Sequence, residues 1–350
     1  MSTHTRIICT LGPASSTLPM IKKMASRGMA IARINFSHGN RLQHQKFIDL
    51  IQSVNRQRKQ KIGLLQDLEG YRIRVGELKE PIPLQKKQHI WMSHQEVAAV
   101  NEIPFDYQGD VKAIKKGFLV YIDDGYIALK VIGHKADALK LEVLQGGVVK
   151  SRKGINIPSL KLQSDLLTDK DRNDIAFGVL NQFDYIAQSF VRSKKDILRV
   201  MDMVRPHLPR CKIIAKIENK EGLQNIDGII SASDGIMIAR GDLGVSLPIY
   251  QIPIIQKEII RRCNRKKKMV ITATQMLDSM IEHSRPTRAE VTDIANAILD
   301  GTDFIMLSAE TAVGQYPSRS ILMMRQIIEF TEKSKEYTFK EGKIHGRFKN

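Results

Sequence analysis

The chain has 350 residues, 42% hydrophobic and 26% charged, a composition that suits a globular protein with a well-buried core. With Lys and Arg at 55 against 37 Asp and Glu, the formal net charge is +18, which directs attention to anionic partners such as nucleic acids or phosphorylated metabolites. Absence of an apolar run of about 18 residues argues against a membrane span, and three scattered cysteines (Cys9, Cys211 and Cys263) argue against a disulfide framework or zinc site.

Short apolar runs alternate with amphipathic segments along most of the chain. Arg6–Thr10 predicts a strand, Leu18–Arg27 a helix, Met29–Ile34 a second strand, Leu42–Arg58 a second helix, and Ile62–Gln66 a third strand. Between about Tyr71 and Pro158 the helical period disappears. Alternating stretches such as FLVYIDDGYIALKVI and ALKLEVL, punctuated by turn residues, predict an inserted all-β domain. The βα rhythm then resumes. Strands are expected at Tyr185–Gln188, Lys212–Lys216, Gly235–Ala239, Met269–Thr272 and Phe304–Leu307, with helices at Ile254–Arg265, Ala289–Leu299 and Ser318–Thr331.

Eight short strands, apolar along their length, read as buried on both faces. The fold class is therefore α/β: a (β/α)8 TIM barrel with a small all-β domain inserted after strand 3. Residues 1–70 and 159–335 form the barrel, 71–158 the insert and 336–350 a basic tail. The N-terminal MSTHTRIICTLGP has no signal-peptide core, so a reducing cytoplasm is the expected location. Two basic clusters, Arg56/Arg58/Lys59/Lys61 and Arg261/Arg262/Arg265/Lys266/Lys267/Lys268, fall at predicted helix ends just before strands. Cations there complement the helix dipole and lie on the face opposite an expected active site. We read them as solvated helix ends and expect no specific nucleic-acid partner.

Polar residues gather at the C-terminal ends of the strands, where barrel active sites form. Strand two runs into Arg33, Asn35, Ser37 and His38, and strand three ends at Asp67 with Arg72 and Arg74 beyond. Lys216 and Glu218 end strand five, Asp242 follows strand six, Thr274 follows strand seven, and Ser308 and Glu310 close strand eight. Residues two apart on a strand share a face, so Lys216 and Glu218 in IIAKIEN are neighbours. An ordinary ion pair would account for those two alone. Asp242 in ARGDLG adds a second carboxylate from the adjacent strand, and such a pair, with room for water and substrate oxygens, suits Mg²⁺ or Mn²⁺. A lysine beside that cation could neutralise a phosphoryl group in transfer.

The segments NFSHG (35–39), KGINIP (153–158), IIAKIEN (213–219), IMIARGDLGV (236–245), ATQMLDSM (273–280) and PTRAEVTDIANAILDGTDFIMLSAETA (286–312) resemble the pyruvate kinase signatures. The resemblance covers about residues 5–332. It implies Mg²⁺-dependent phosphoryl transfer from phosphoenolpyruvate to ADP, giving pyruvate and ATP in glycolysis. It further implies that Lys216 stabilises the transferring group, Arg33 contacts it, and Glu218 and Asp242 hold the metal. Gly241, Asp242, Lys216 and Thr274 would meet the substrate. Thr274 would relay the proton that converts enolpyruvate to pyruvate, with Ser308 and Glu310 in support. Asn35, His38, Arg74 and Lys153 would serve the nucleotide, and the inserted domain would close as a lid that excludes water. Asn35, Ser37, Asp67 and Leu68 match monovalent-cation positions.

Plainer readings stand beside these. Thr274 and Ser308 could satisfy backbone groups at strand ends, His38 could be an ordinary loop residue, and Asp123 and Asp124 before Gly125 read first as turn residues. In QDLEGYRIRVG, Tyr71 stands where the family usually has proline, which predicts a less rigid hinge into the insert. Arg72 stands where potassium-requiring members carry glutamate and the others lysine. A fixed guanidinium could replace the monovalent charge, so K⁺ is expected to be dispensable. Family members normally continue into a regulatory domain, so a short form lacking it is expected. The stretch from Pro286 to Gly301 resembles the barrel–barrel interface and suggests a homodimer. Competing readings are a Mg²⁺-dependent lyase acting on pyruvate or oxaloacetate, and a non-catalytic basic binding protein.

Overall fold

The structure, a computed structural model, describes residues 3–94, 102–160, 167–334, 338–340 and 343–345. Eight parallel strands close into a barrel: β1 (Arg6–Thr10), β2 (Met29–Asn35), β3 (Gly63–Asp67), β4 (Tyr185–Gln188), β5 (Lys212–Ile217), β6 (Gly235–Ala239), β7 (Met269–Ala273) and β8 (Phe304–Leu307). Each strand neighbours the next in sequence, and β8 closes on β1. Observed boundaries differ from the expected ones by a residue or so at several ends. The exception that matters is β2, which runs on to Asn35 because Asn35 pairs with Asp67 of β3.

Side-chain alternation places the functional residues. Ile8, Ile31, Leu65, Ala187, Ile214, Met237, Ile271 and Met306 fill the barrel interior. The residue two positions on shares that face and rises to the mouth. Those positions hold Thr10, Arg33, Asp67, Ser189, Lys216, Ala239, Ala273 and Ser308. The alternate positions, such as Ile213, Ala215, Ile217, Ile236 and Ile238, pack outward against the helices.

The opposite end is sewn shut by three aspartates that immediately precede strands. Asp184, Asp234 and Asp303 accept from the backbone N–H of Leu64, Ile213 and Val270 on the neighbouring strands, each at 2.8 Å. The basic clusters lie at this end, at the close of helices Arg41–Arg56 and Ile252–Arg265. Several of these cations bond locally: Arg262 pairs with Glu258 and Asp227, and Lys268 donates to the carbonyls of Ser231 and Ser233.

The insert is all-β in its sheets. Six strands run in the order Ile155–Asn156, Leu119–Ile122, Ile127–Lys135, Ala138–Gln145, His89–Ser93 and Glu102–Pro104, and Ile82–Leu84 pairs with Gly147–Val149. Its alternation buries Val120, Ile122, Ile127, Leu129 and Val131 in a separate core. At the entry to the insert, the Tyr71 hydroxyl accepts from the N–H of Gln108 at 3.1 Å, a side-chain tie that a proline could not make. In the tail, Thr338–Lys340 pairs with Lys343–His345, while its other residues lie outside the described ones. Cys9, Cys211 and Cys263 are all free and buried. Among the described residues no helix is long and apolar enough to cross a membrane.

Candidate active site

Lys216 stands at the centre of the mouth, 9% exposed. Its ammonium donates to Ser189 Oγ at 2.7 Å and lies 3.0 Å from Asp67 Oδ1 and 3.1 Å from Glu218 Oε1. Burial pushes its pKa down, but the Asp67 and Glu218 carboxylates more than offset this and hold it above the ordinary lysine value. The other oxygen of Asp67 accepts from Arg33 Nε at 2.7 Å, and Arg33 also donates to Thr10 Oγ1 at 2.8 Å. Asp67 is therefore shared by two cations. Burial would raise its pKa, yet Lys216 and Arg33 bring it below the usual value.

Glu218 behaves differently. Burial raises its pKa, with Asp242 adding to the rise, while Lys216 and the N–H of Phe190, which donates to Oε2 at 2.6 Å, pull the other way. Asp242 occupies the first turn of helix Arg240–Ser246 and lies 3.2 Å from Arg72. Arg72 reaches in from the insert side and also pairs with Asp124 at 2.8 Å.

A cavity of about 420 Å³ brings these groups together with Asn35, Ser37, His38, Arg74 and Lys153. Arg74 pairs with Glu69 at 2.7 Å and Lys153 with Asp123 at 2.8 Å. Every expected cation of the cleft thus faces a carboxylate. His38 has a depressed pKa because of burial, reinforced by Arg74, which favours neutral imidazole. Asn35 Oδ1 accepts from the N–H of Ser37 at 3.1 Å. Asp123 and Asp124 sit in the turn before Gly125, as expected, both with positive φ of 54°, and both also meet cleft cations.

Thr274, Ser308 and Glu310 do not line that cavity and form a neighbouring group at the β7/β8 side. Thr274 has φ of 71°, and its hydroxyl accepts from the N–H of Gly241 at 2.9 Å. Glu310 is buried, and its two oxygens accept from the N–H groups of Leu277 at 3.0 Å and Ser308 at 2.6 Å. Burial outweighs those bonds and raises its pKa. Ser308 Oγ is buried without a hydrogen-bond partner among the described residues. Leu68 does not contribute its side chain to the mouth. It packs in the core beneath the helices, and its carbonyl accepts from Ser189 Oγ at 2.7 Å.

Among the described residues no three His, Cys, Asp or Glu side chains cluster as a metal cage. Glu218 and Asp242 nonetheless fit Mg²⁺ or Mn²⁺: both donors are hard carboxylate oxygens, and Mg²⁺ usually keeps water and substrate oxygens as its remaining ligands.

Residues 2–321 match the barrel domain of pyruvate kinase. The chain belongs to the pyruvate kinase family. It is 42% identical over 337 residues to the pyruvate kinase of Staphylococcus epidermidis and 43% identical over 342 residues to that of Geobacillus stearothermophilus. These alignments cover 95% and 96% of this chain, which spans 58% of the length of each of these pyruvate kinases.

Several residues that shape this mouth escaped the sequence reading. Ser189 bridges Lys216 to the Leu68 carbonyl, and a signal for it existed, since it directly follows β4 at the active end of the barrel. Thr10 likewise ends β1. Arg240, which grips the β7 turn, likewise directly follows β6, whereas Glu69, which meets Arg74 and lies 3.2 Å from Lys170, carries no local pattern that separates it from a surface charge.

Proposed function

We propose that the chain catalyses Mg²⁺-dependent phosphoryl transfer between phosphoenolpyruvate and ADP, yielding pyruvate and ATP in glycolysis. The observation that carries this reading is the Lys216 ammonium, buried yet kept charged between Asp67 and Glu218, beside Arg33 and Asp242 in one cavity.

Lys216 neutralises the phosphoryl oxygens during transfer. Arg33 contacts the same group while Asp67 and Thr10 fix its orientation. Glu218 and Asp242 hold the divalent cation, which when bound supplies charge neutralisation and Lewis-acid polarisation. Asn35, His38, Arg74 and Lys153 receive the nucleotide, with Arg74 and Lys153 exchanging Glu69 and Asp123 for phosphate oxygens. Gly241 and Thr274 lie on the substrate side, where the threonine hydroxyl relays a proton to the enolpyruvate methylene. Glu310, driven toward its neutral form, and the unpartnered Ser308 hydroxyl support that relay. The insert closes over the cleft as a lid and excludes water.

The same reading makes K⁺ dispensable. Asp67 already meets two cations, Arg72 reaches Asp242, and Leu68 turns its side chain into the core. We infer a homodimer from the resemblance of the 286–301 stretch to a barrel–barrel interface, and solution mass measurement tests it.

Purified protein mixed with phosphoenolpyruvate, ADP and Mg²⁺ is expected to form pyruvate and ATP in equal amounts. Pyruvate released from oxaloacetate without ATP would favour a lyase, and salt-sensitive nucleic-acid binding without turnover would favour a basic binding protein. Activity in sodium- and potassium-free tetramethylammonium buffer is expected to match that with added K⁺. A large activation by K⁺ would remove the charge-replacing role of Arg72.

A further inference from the structure

The turn that carries Thr274 is backbone-strained. Thr274 and Gln275 have φ of 71° and 51°, two successive non-glycine residues in the left-handed region. A β-branched residue there is an outlier that persists only where its surroundings over-determine it. Glycine or asparagine would adopt the turn more freely, so a threonine kept there points to a need for its hydroxyl.

One side chain supplies the constraint. Arg240, the first residue after β6, places Nη2 2.6 Å and Nε 3.2 Å from the Thr274 carbonyl. The same guanidinium lies 3.3 Å from the carbonyl of Ala273, 3.2 Å from that of Gln275 and 2.8 Å from the sulfur of Met276. On its far side, Nη1 donates to Asp293 Oδ2 at 2.6 Å and Gln256 Oε1 at 3.3 Å, which anchors the fork to two helices. The side chain is 12% exposed. The very next residue, Gly241, donates its N–H to Thr274 Oγ1 at 2.9 Å. A single dipeptide therefore holds the threonine at two points, carbonyl and hydroxyl.

We propose that Arg240 is the positioning residue for Thr274, its guanidinium holding the left-handed Thr274–Gln275 turn so that the hydroxyl stays registered on the Gly241 amide at the substrate side of the mouth. This rests on the proton-relay role given to Thr274 above. Arg240 itself touches neither substrate nor reacting atoms. Its planar fork meets several carbonyls at once, which a lysine ammonium on a flexible stem does not reproduce.

The test compares wild type with Arg240→Met, Arg240→Lys and Asp293→Asn in three measurements: steady-state pyruvate formation, deuterium uptake into the pyruvate methyl in D₂O with ATP and Mg²⁺, and hydrogen exchange at the Gly241 amide. Arg240→Met is expected to lower kcat and methyl exchange about 100-fold, the scale of a displacement of about 1 Å at a catalytic group. The KM for phosphoenolpyruvate should stay within about threefold, because ground-state binding is not what is lost. Gly241 amide exchange should speed up. Arg240→Lys should resemble Arg240→Met, and Asp293→Asn should move every readout the same way by less.

Unchanged kcat, or an activity loss that only tracks the folded fraction by circular dichroism, would overturn the proposal, as would an unaltered Gly241 amide. If Arg240→Met fails to fold, Asp293→Asn at a partly exposed position decides. Should wild type form no pyruvate, the proposed function fails instead, and the Gly241 amide comparison still decides whether the clamp exists.

Discussion

The two sides of the barrel mouth are built on different physics. At β2, β3, β5 and β6, charges fix one another: Arg33 and Lys216 share Asp67, Lys216 also meets Glu218, and Arg72 meets Asp242. At β7 and β8, Thr274, Ser308 and Glu310 make no ion pair among the described residues. Backbone amides and a strained turn hold them instead. The paired side keeps its cations charged in a desolvated place, which suits transfer of an anionic group. The other side gathers two hydroxyls and a carboxyl whose pKa burial raises, which suits proton movement.

The comparison breaks most visibly at Lys216. Lys216→Met is expected to lower phosphoryl transfer about 10³-fold or more, as loss of a charge that meets the transferring group does elsewhere. It also leaves Asp67 and Glu218 buried without their shared cation, so thermal unfolding should report a loss of about 3–5 kcal/mol. Transfer retained at wild-type rate would remove Lys216 from its role. Thr274→Val probes the other side. Pyruvate formation and methyl deuterium exchange should fall about 100-fold, within the range for general acid–base groups, while divalent-cation affinity stays unchanged. A weakened cation affinity would mean that the two sides are not separable.

Arg72→Glu should sharpen the contrast with a smaller effect. Activity in tetramethylammonium buffer is expected to drop about tenfold and to recover with K⁺, because the cation then supplies the charge that Arg72 no longer brings. An equal drop with and without K⁺ would contradict that reading.

The smallest effect is a difference of sign with pH. Asp67 has a folded pKa below its unfolded value, so its contribution is present above the unfolded pKa of about 3.9 and lost as pH falls through the folded value. Glu310 has a raised folded pKa, so its contribution is present below about 4.3 and lost as pH rises toward the folded value. Melting curves between pH 3 and 7 (a range of about 4 units that brackets both carboxyls) should therefore separate the variants. The deficit of Asp67→Asn relative to wild type should shrink as pH falls, and that of Glu310→Gln should shrink as pH rises. Parallel curves would refute the distinction between the two sides.

Much of the site was legible before folding. Lys216 and Glu218 announce a shared face by their spacing, and Arg33 and Asp67 announce the mouth by ending apolar strands. Leu68 shows what strand-end position leaves open: its side chain belongs to the core, and it is its carbonyl that approaches the site. Ser189 could have been found by applying the strand-end rule to β4. The same rule on β6 reaches Arg240, but not its role, because Thr274 and Asp293, which it grips, lie 34 and 53 residues away.

By itself, then, the sequence determined the eight strands, the inserted sheet and the ring of polar residues at one end, because strand and helix periods are local properties of the chain. Only the tertiary structure decided which cation meets which carboxylate, why Asp67 and Glu310 shift in opposite directions, and what holds Thr274 in its strained turn. Those outcomes depend on barrel closure, which sets distances between residues far apart in sequence and removes the water that would otherwise screen them.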